Sequence, residues 1–133
     1  MGFEQRITRT LTAEISLPAV GQGALGIECR ENDPAVESLI APLNHPPTLI
    51  RVTAERAMNH RLNGGCQVPI GAFAELEGEQ IRLRGLVGKP DGSEVFRAEV
   101  RGAMDAPEEL GKKLADDLLS QGADRVLSEL GIL

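Results

Sequence analysis

Three stretches of alternating apolar residues, separated by turn sequences, constrain the fold of this chain more than any other feature. Residues 68–76, 80–87 and 94–101 place apolar side chains at every second position, which predicts strands with one buried face. The segments between them, 77–79 and 89–93, contain Gly, Pro and Asp and are typical of antiparallel hairpins. Pro69 cannot donate to a ladder, so we expect it at the start of its strand or on an edge. The predicted buried face comprises Ile70, Ala72, Ala74, Leu76, Ile81, Leu83, Val87, Phe96, Ala98 and Val100.

Helical periodicity flanks this predicted sheet on both sides. Residues 48–62 carry an apolar face and end at Asn63 and Gly64, which are natural residues for a helix C-terminus. Residues 105–130 keep one apolar stripe, which predicts a single final helix, with Gly111 and Gly122 weakening it by about 1 kcal/mol each relative to Ala. The predicted fold class is therefore α+β, with a three-stranded antiparallel sheet packed against helices.

The first third of the chain has weaker patterns. We expect a short helix over residues 3–11, a strand over 14–17, and a second strand over 25–29 that buries Cys29. Asn32-Asp33-Pro34 predicts a helix start, and Pro46-Pro47 is the best candidate for a domain boundary. Residues 21–26 fit G-x-G-x-x-G, but a dinucleotide site needs a helix to begin within the glycines, and here a strand is predicted instead.

Composition excludes several function classes. The 133 residues carry a net charge of −6 and include no Trp or Tyr, which argues against a nucleic-acid partner. No apolar run is long enough to cross a bilayer and no signal-peptide pattern is present, so we expect a cytoplasmic protein without a membrane partner. Cys29 and Cys66 give no disulfide framework, and their spacing with His45 and His60 matches no zinc site, so no metal is expected.

Cys66 is the candidate nucleophile. It directly follows Gly64 and Gly65, which leave the thiol without a bulky neighbour on its N-terminal side. Upstream cations (Arg51, Arg56, His60, Arg61) could lower the pKa of such a thiol and so favour the thiolate. The alternative is a helix C-cap followed by a small buried apolar residue, which is the better interpretation for an isolated G-G-C sequence.

Three long motifs add context to this cysteine. They are L-P-A-V-G-Q-G-A-L-G-I-E-C-R at 17–30, R-V-T-A-E-R-A-M-N at 51–59 and G-G-C-Q-V-P-I-G at 64–71. In this order they closely resemble the porphobilinogen deaminase (hydroxymethylbilane synthase) family, and the resemblance covers essentially the whole chain. It implies that Cys66 carries a dipyrromethane cofactor through a thioether bond. It also implies an activity, in which four porphobilinogen molecules are condensed into linear hydroxymethylbilane with release of ammonia.

The resemblance also implies a domain organisation. Residues 1–23 would be the tail of domain two and the interdomain crossover, residues 24–46 a strand and helix of domain one, and residues 47–133 the cofactor-carrying third domain. The catalytic aspartate of the family has no counterpart here, so we expect no catalytic residue, no turnover and an empty Cys66. Apolar faces before Thr48 would lack their sheets, which suggests self-association through these segments.

Further cofactor contacts follow from the same resemblance. Gln22, Gly23 and Gly65 are the positions implied to line the cofactor beside Cys66, although Gln22 and Gly23 fit a plain hinge equally well. Arginines 51, 56 and 61 could face cofactor carboxylates, but a solvated helix surface is the better interpretation for most of them. Glu55 is expected to form ordinary surface pairs with Arg51 or Asn59.

Two other functions are compatible with the residues. One is a non-catalytic α+β interaction module with a free Cys66, suggested by the incomplete active site. The other is a thiol-redox protein, which is disfavoured because no C-x-x-C or nearby resolving cysteine is present.

Overall fold

The computed structural model describes residues 2–65 and 68–133, so Cys66 and Gln67 lie outside the described residues. The α-helices are α1 (Pro34–Ile40), α2 (Pro46–Arg61), α3 (Pro107–Leu118) and α4 (Asp124–Glu129), and the strands are β1 (Ile70–Glu77), β2 (Gln80–Gly88) and β3 (Val95–Ala103). Short 3₁₀ turns cover Glu4–Arg6 and Ala41–Leu43.

The sheet is antiparallel with the order β1-β2-β3, as the sequence predicts. Glu77 pairs with Gln80 across the first turn, and Gly88 pairs with Val95 across the second. Pro69 directly precedes β1, which is an edge strand, so its missing N–H costs no ladder bond. The fold-class prediction is confirmed.

Helices α2 and α3 cover one face of this sheet, and the buried side chains of α4 join the same core. The fully buried side chains include Met58, Leu62, Ile81, Leu83, Val87, Leu114, Leu118, Val126 and Leu127. Gly111 lies where α3 crosses α2, and a Cβ there would stand 2.3 Å from the carbonyl oxygen of Ala54. Gly111 therefore allows the two helices to approach closely, whereas the sequence pattern marked it only as a weak helix former.

The final helical stripe is not one helix. A π-helical turn, Leu119–Ala123, follows α3, and the chain kinks at Gly122, whose φ is 110°. This left-handed conformation suits glycine because it lacks a Cβ. Val126 and Leu127 are fully buried after the kink, so the break keeps the second half of the stripe on the core.

The expectations for the first third of the chain were largely wrong. The helix over residues 3–11 is only a 3₁₀ turn, and neither expected strand is present among residues 14–29. Cys29 is exposed rather than buried, and Leu25 is 98% exposed. Residues 12–16 form a turn instead, in which the Ile15 and Ser16 N–H groups donate to Thr12 O. A strand needs a neighbouring strand to satisfy its backbone groups, and residues 25–29 lie beside none of the described strands. Helix α1 does form, capped by the Asp33 carboxylate, which accepts from the Val36 N–H at 3.3 Å.

Ionic side chains occupy the opposite face of the sheet. Arg84 on β2 pairs with Glu75 on β1, and its guanidinium lies over the Phe73 ring. Arg82 binds Glu99 at 2.7 Å. Arg84 also reaches Glu14 at 3.0 Å, so this face contacts the segment that leads into the glycine-rich crossover (residues 17–27).

Candidate functional site

The loop that carries Cys66 begins at the end of α2 with a Schellman motif. Asn63 has a φ of 55°, its N–H donates to His60 O at 3.0 Å, and the Gly64 N–H donates to Asn59 O at 2.8 Å. These bonds satisfy two of the last carbonyls of the helix. The Asn63 side-chain amide also donates to Ile132 O at 2.8 Å, which ties this end of α2 to the C-terminal residues.

Gly64 is held on both sides by Asn59. Besides the backbone bond, the Asn59 Nδ2 donates to Gly64 O at 3.1 Å. A Cβ at Gly64 would stand 2.1 Å from Asn59 Oδ1 and 3.0 Å from the Ile70 side chain. A side chain at the first glycine would therefore displace the Asn59 amide, whereas a Cβ at Gly65 would meet nothing within 4 Å.

The chain after Cys66 is also fixed by hydrogen bonds. The Val68 N–H donates to Gly65 O at 3.0 Å, which draws together the residues on either side of Cys66-Gln67. The Gly88 N–H then donates to Pro69 O at 3.0 Å, so β2 holds the exit from the loop. Both ends of the Cys66 loop are thus attached to regular structure.

The glycine-rich crossover runs along the outer edge of β1. The Ala72 N–H donates to Pro18 O at 3.1 Å, and the Ala74 N–H donates to Glu55 Oε1 at 2.8 Å. The other oxygen of Glu55 accepts from the Gly21 N–H at 2.7 Å. One carboxylate therefore joins α2, the edge strand and the crossover, and it satisfies two backbone donors at a sheet edge.

The position of Glu55 contradicts the expectation of surface pairing. The residue is only 5% exposed, and loss of hydration raises the pKa of its carboxyl group, although the Gly21 and Ala74 N–H groups and Arg51 oppose this effect. Glu55 precedes the buried Met58 and Leu62 by three and seven residues. This helical spacing could have placed it on the buried face, but its charge favoured the surface interpretation.

A large groove separates the crossover from α2. Its volume is about 1190 Å³, above the roughly 300–1,000 Å³ common for small-molecule sites. One face of α2 forms a wall, with Thr48, Val52, Arg56 and Asn59 at helical spacing. The groove is also lined by Gly21 and Gly23–Ile27 of the crossover, by residues 40, 41 and 43–45, and by Gly64, Gly65, Val68 and Ile70 of the Cys66 loop.

The structure brings some of the expected cofactor contacts together. Gly23 and Gly65 line the same groove. Gln22 instead lines a smaller cavity of about 210 Å³ beside Glu55, and its Oε1 accepts from the Ala19 N–H at 3.0 Å. Cys66 lies outside the described residues, but both of its flanks, Gly65 and Val68, border the large groove.

The three arginines of α2 have different environments. Arg61 pairs with Asp116 of α3 at 2.9 Å. Arg51 donates to Pro47 O and Thr48 Oγ1 and borders the smaller cavity. Arg56 borders the large groove and is exposed, and it has no carboxylate partner within residues 2–65 and 68–133. Arg56 is therefore the one of the three that can meet an anionic ligand in the groove.

These residues fit part of what a dipyrromethane would need. The groove is largely apolar with a guanidinium, an amide and a hydroxyl (Arg56, Asn59, Thr48), which suits pyrrole rings that carry carboxylates. The space beside Gly65, the residue before Cys66, is open. A single arginine can bind few carboxylates, so the α2 wall of the groove fits only one end of a dipyrromethane.

Two family models match this chain. The family model described as "Porphobilinogen deaminase, C-terminal domain" matches residues 49–120, which is more than half of the chain. The model described as "Porphobilinogen deaminase, dipyromethane cofactor binding domain" matches residues 1–38. Within the described ranges, no helix is long and apolar enough to span a membrane. The same ranges contain no group of three or more potential metal ligands.

Proposed function

Because this chain belongs to the porphobilinogen deaminase family, we propose that it is the cofactor-carrying part of a hydroxymethylbilane synthase. In this proposal Cys66 holds dipyrromethane through a thioether, and the large groove receives the pyrroles. Residues 47–133 form the carrier domain, residues 1–23 the tail of domain two with the crossover, and residues 24–46 part of domain one.

One observation carries the proposal: Gly23 and Gly65 border a single groove, and that groove extends to both flanks of Cys66. The two glycines are far apart in the sequence, so only the fold brings them together. Glycine at both positions leaves the backbone accessible to a flat ring.

The residues of the chain have separable roles in this proposal. The Cys66 thiolate is a soft nucleophile that forms a stable thioether with an electrophilic methylene-pyrrole. Arg56 binds a ring carboxylate, and Gly23 and Gly65 let the backbone approach the rings. Gln22 supports the crossover through its bond to Ala19. When bound, the dipyrromethane primes the successive pyrrole condensations.

The experiment is to offer the purified chain hydroxymethylbilane and to map the adduct by mass spectrometry. The Cys66 sulfur forms a bond to the terminal methylene carbon while the C–OH bond breaks, and the hydroxide takes up the thiol proton as water. We expect an adduct on the Cys66 peptide and none on exposed Cys29. C29A should load normally and C66A should not. Equal labelling of both cysteines would contradict the proposal.

Exposed apolar residues support the alternative of a non-catalytic interaction module. Residues 2–43 contain Phe3, Ile7, Leu11, Ile15, Leu25, Ile27, Leu39 and Leu43, all exposed. Such a concentration is unusual for a monomer surface. Sedimentation over a range of concentrations separates the two functions: reversible oligomers with an unreactive Cys66 favour the module, and a monomer that accepts pyrrole at Cys66 favours the carrier.

A further inference from the structure

We infer that Asn59 is a positioning residue for pyrrole attachment at Cys66, and that it acts by holding Gly64, two residues before the thiol. This inference rests on the proposed function, because it assigns a role to Asn59 in loading Cys66. It concerns a residue that does not itself form a bond to the pyrrole.

The first support is the double attachment of Gly64. Its N–H donates to the Asn59 carbonyl at 2.8 Å, and its carbonyl accepts from Asn59 Nδ2 at 3.1 Å. Both polar groups of the residue two positions before Cys66 are therefore held by one residue of α2. A loop containing two consecutive glycines would otherwise have many accessible backbone conformations.

The second support is steric. A Cβ on Gly64 would stand 2.1 Å from Asn59 Oδ1, so the loop packs tightly onto this amide. Asn59 also borders the large groove, next to Arg56 on the same face of α2. The amide thus lies between the helix wall that would bind the pyrrole and the loop that carries the thiol.

The third support is that α2, which holds the loop, is itself fixed in the hydrophobic core. Met58 and Leu62, on either side of Asn59 along the helix, are fully buried in the core. Asn59 therefore lies on a helix that is fixed in the core, and the hydrogen bond from its Nδ2 holds Gly64 against that helix. Reactions between groups held in this way are sensitive to displacements of about 1 Å.

The test compares Asn59→Ala and Asn59→Asp with Asn63→Gly. N59D keeps the shape of the side chain but directs a carboxylate at Gly64 O, with no donor when ionised. N63G removes a comparable amide bond, to Ile132 O, and keeps a residue suited to positive φ, so it is the matched control. Two readouts are needed: amide hydrogen exchange of Gly64 and Val68, and Cys66 modification by iodoacetamide and by hydroxymethylbilane, each relative to Cys29.

We expect N59A and N59D to speed exchange at Gly64 about tenfold and to slow pyrrole loading of Cys66 about tenfold, while iodoacetamide still reacts at least as fast as with the wild type. Loading of N59D should recover relative to the wild type as the pH falls, since the carboxyl group introduced by N59D can donate again once it is protonated. N63G should change neither loading nor exchange at Val68.

Three outcomes decide the inference. If N59A leaves the rate of amide hydrogen exchange at Gly64 unchanged, the Asn59 side chain does not hold the loop. Faster exchange with unchanged pyrrole loading overturns its role in attachment. If the wild-type Cys66 does not react with hydroxymethylbilane, the proposed function is contradicted. Amide exchange at Gly64 in N59A then decides by itself whether Asn59 holds the loop.

Discussion

The Glu55 carboxylate accepts a 2.7 Å hydrogen bond from the Gly21 N–H, and this bond joins the glycine-rich crossover to the sheet and helices of the C-terminal unit. Its second oxygen binds Ala74 on the edge strand. The carboxylate therefore holds the crossover, which lines one side of the groove, against β1 and α2, and α2 forms another wall of the groove.

Replacing Glu55 with Gln should destabilise the chain. A glutamine oxygen can accept only one of the two N–H bonds in the same orientation, and the amide NH₂ would face the other donor. Leaving a buried donor unpaired costs about 1–3 kcal/mol. Urea unfolding should show this loss in the free energy of unfolding, whereas Glu79→Gln in the exposed turn before β2 should change it little. Equal stability of E55Q and the wild type would contradict the buried position of Glu55.

The cost of E55Q should also depend on pH. Burial raises the pKa of Glu55 above its ordinary value of 4.5, so the folded chain retains this proton to higher pH than the unfolded chain. Its contribution to stability is complete below the unfolded pKa and is lost as the pH rises through the folded pKa. The wild-type advantage over E55Q should therefore shrink as the pH rises above 4.5, the ordinary value. An advantage that grows over this range would show that the pKa is lowered instead.

Arg56→Ala should slow the attachment of pyrrole to Cys66 more than Arg61→Ala does. Arg56 faces the groove, whereas Arg61 is engaged with Asp116 on α3. Loss of a charge-assisted bond at the groove should reduce the loading rate about tenfold. High salt should narrow the difference because it screens exposed charges. Equal effects of the two substitutions would show that the groove face of α2 does not bind the carboxylates.

Gly111→Ala should destabilise the chain although alanine is the better helix former. The added methyl would meet the Ala54 carbonyl and the Ala57 side chain where α3 crosses α2. Overpacking of this kind costs about 1–3 kcal/mol, against a gain of about 1 kcal/mol in helix propensity. Lys113→Ala, at an exposed position of the same helix, is the control for urea unfolding. A more stable G111A would show that the helices have room to separate.

The chain alone should form no bilane from porphobilinogen. Among the described residues that line the groove, the ionisable ones are His45 and Arg56. Neither is a carboxylate, and the His45 ring is held by Thr48 Oγ1, with Nδ1 and Oγ1 2.8 Å apart. Proton transfer during pyrrole condensation needs a positioned acid or base near the reacting carbon. Detection of hydroxymethylbilane after incubation of the purified chain with porphobilinogen would contradict this prediction.

The elements that were predicted correctly have local signals. The hairpins follow from alternation plus turn residues, and the end of α2 follows from Asn63 and Gly64, whose Schellman bonds involve only residues 59–64. The features that were missed depend on distant partners. Glu55 is buried because Gly21 and Ala74 meet it. Residues 12–16 form a turn before the chain reaches the edge of β1 at Pro18, and residues 25–29 lie beside none of the described strands. The groove likewise required the fold, since Gly23 and Gly65 are far apart in the sequence.

The most direct test of the account is a comparison of amide NMR spectra of the chain before and after hydroxymethylbilane is attached. We expect an adduct on Cys66, with the largest shift changes at Gly23, Gly65 and Arg56, around the groove. Glu99 and Arg101, on the ionic face of the sheet, should be unaffected. Failure of Cys66 to take the pyrrole, or changes centred on the ionic face, would contradict the central claim that this groove receives the cofactor.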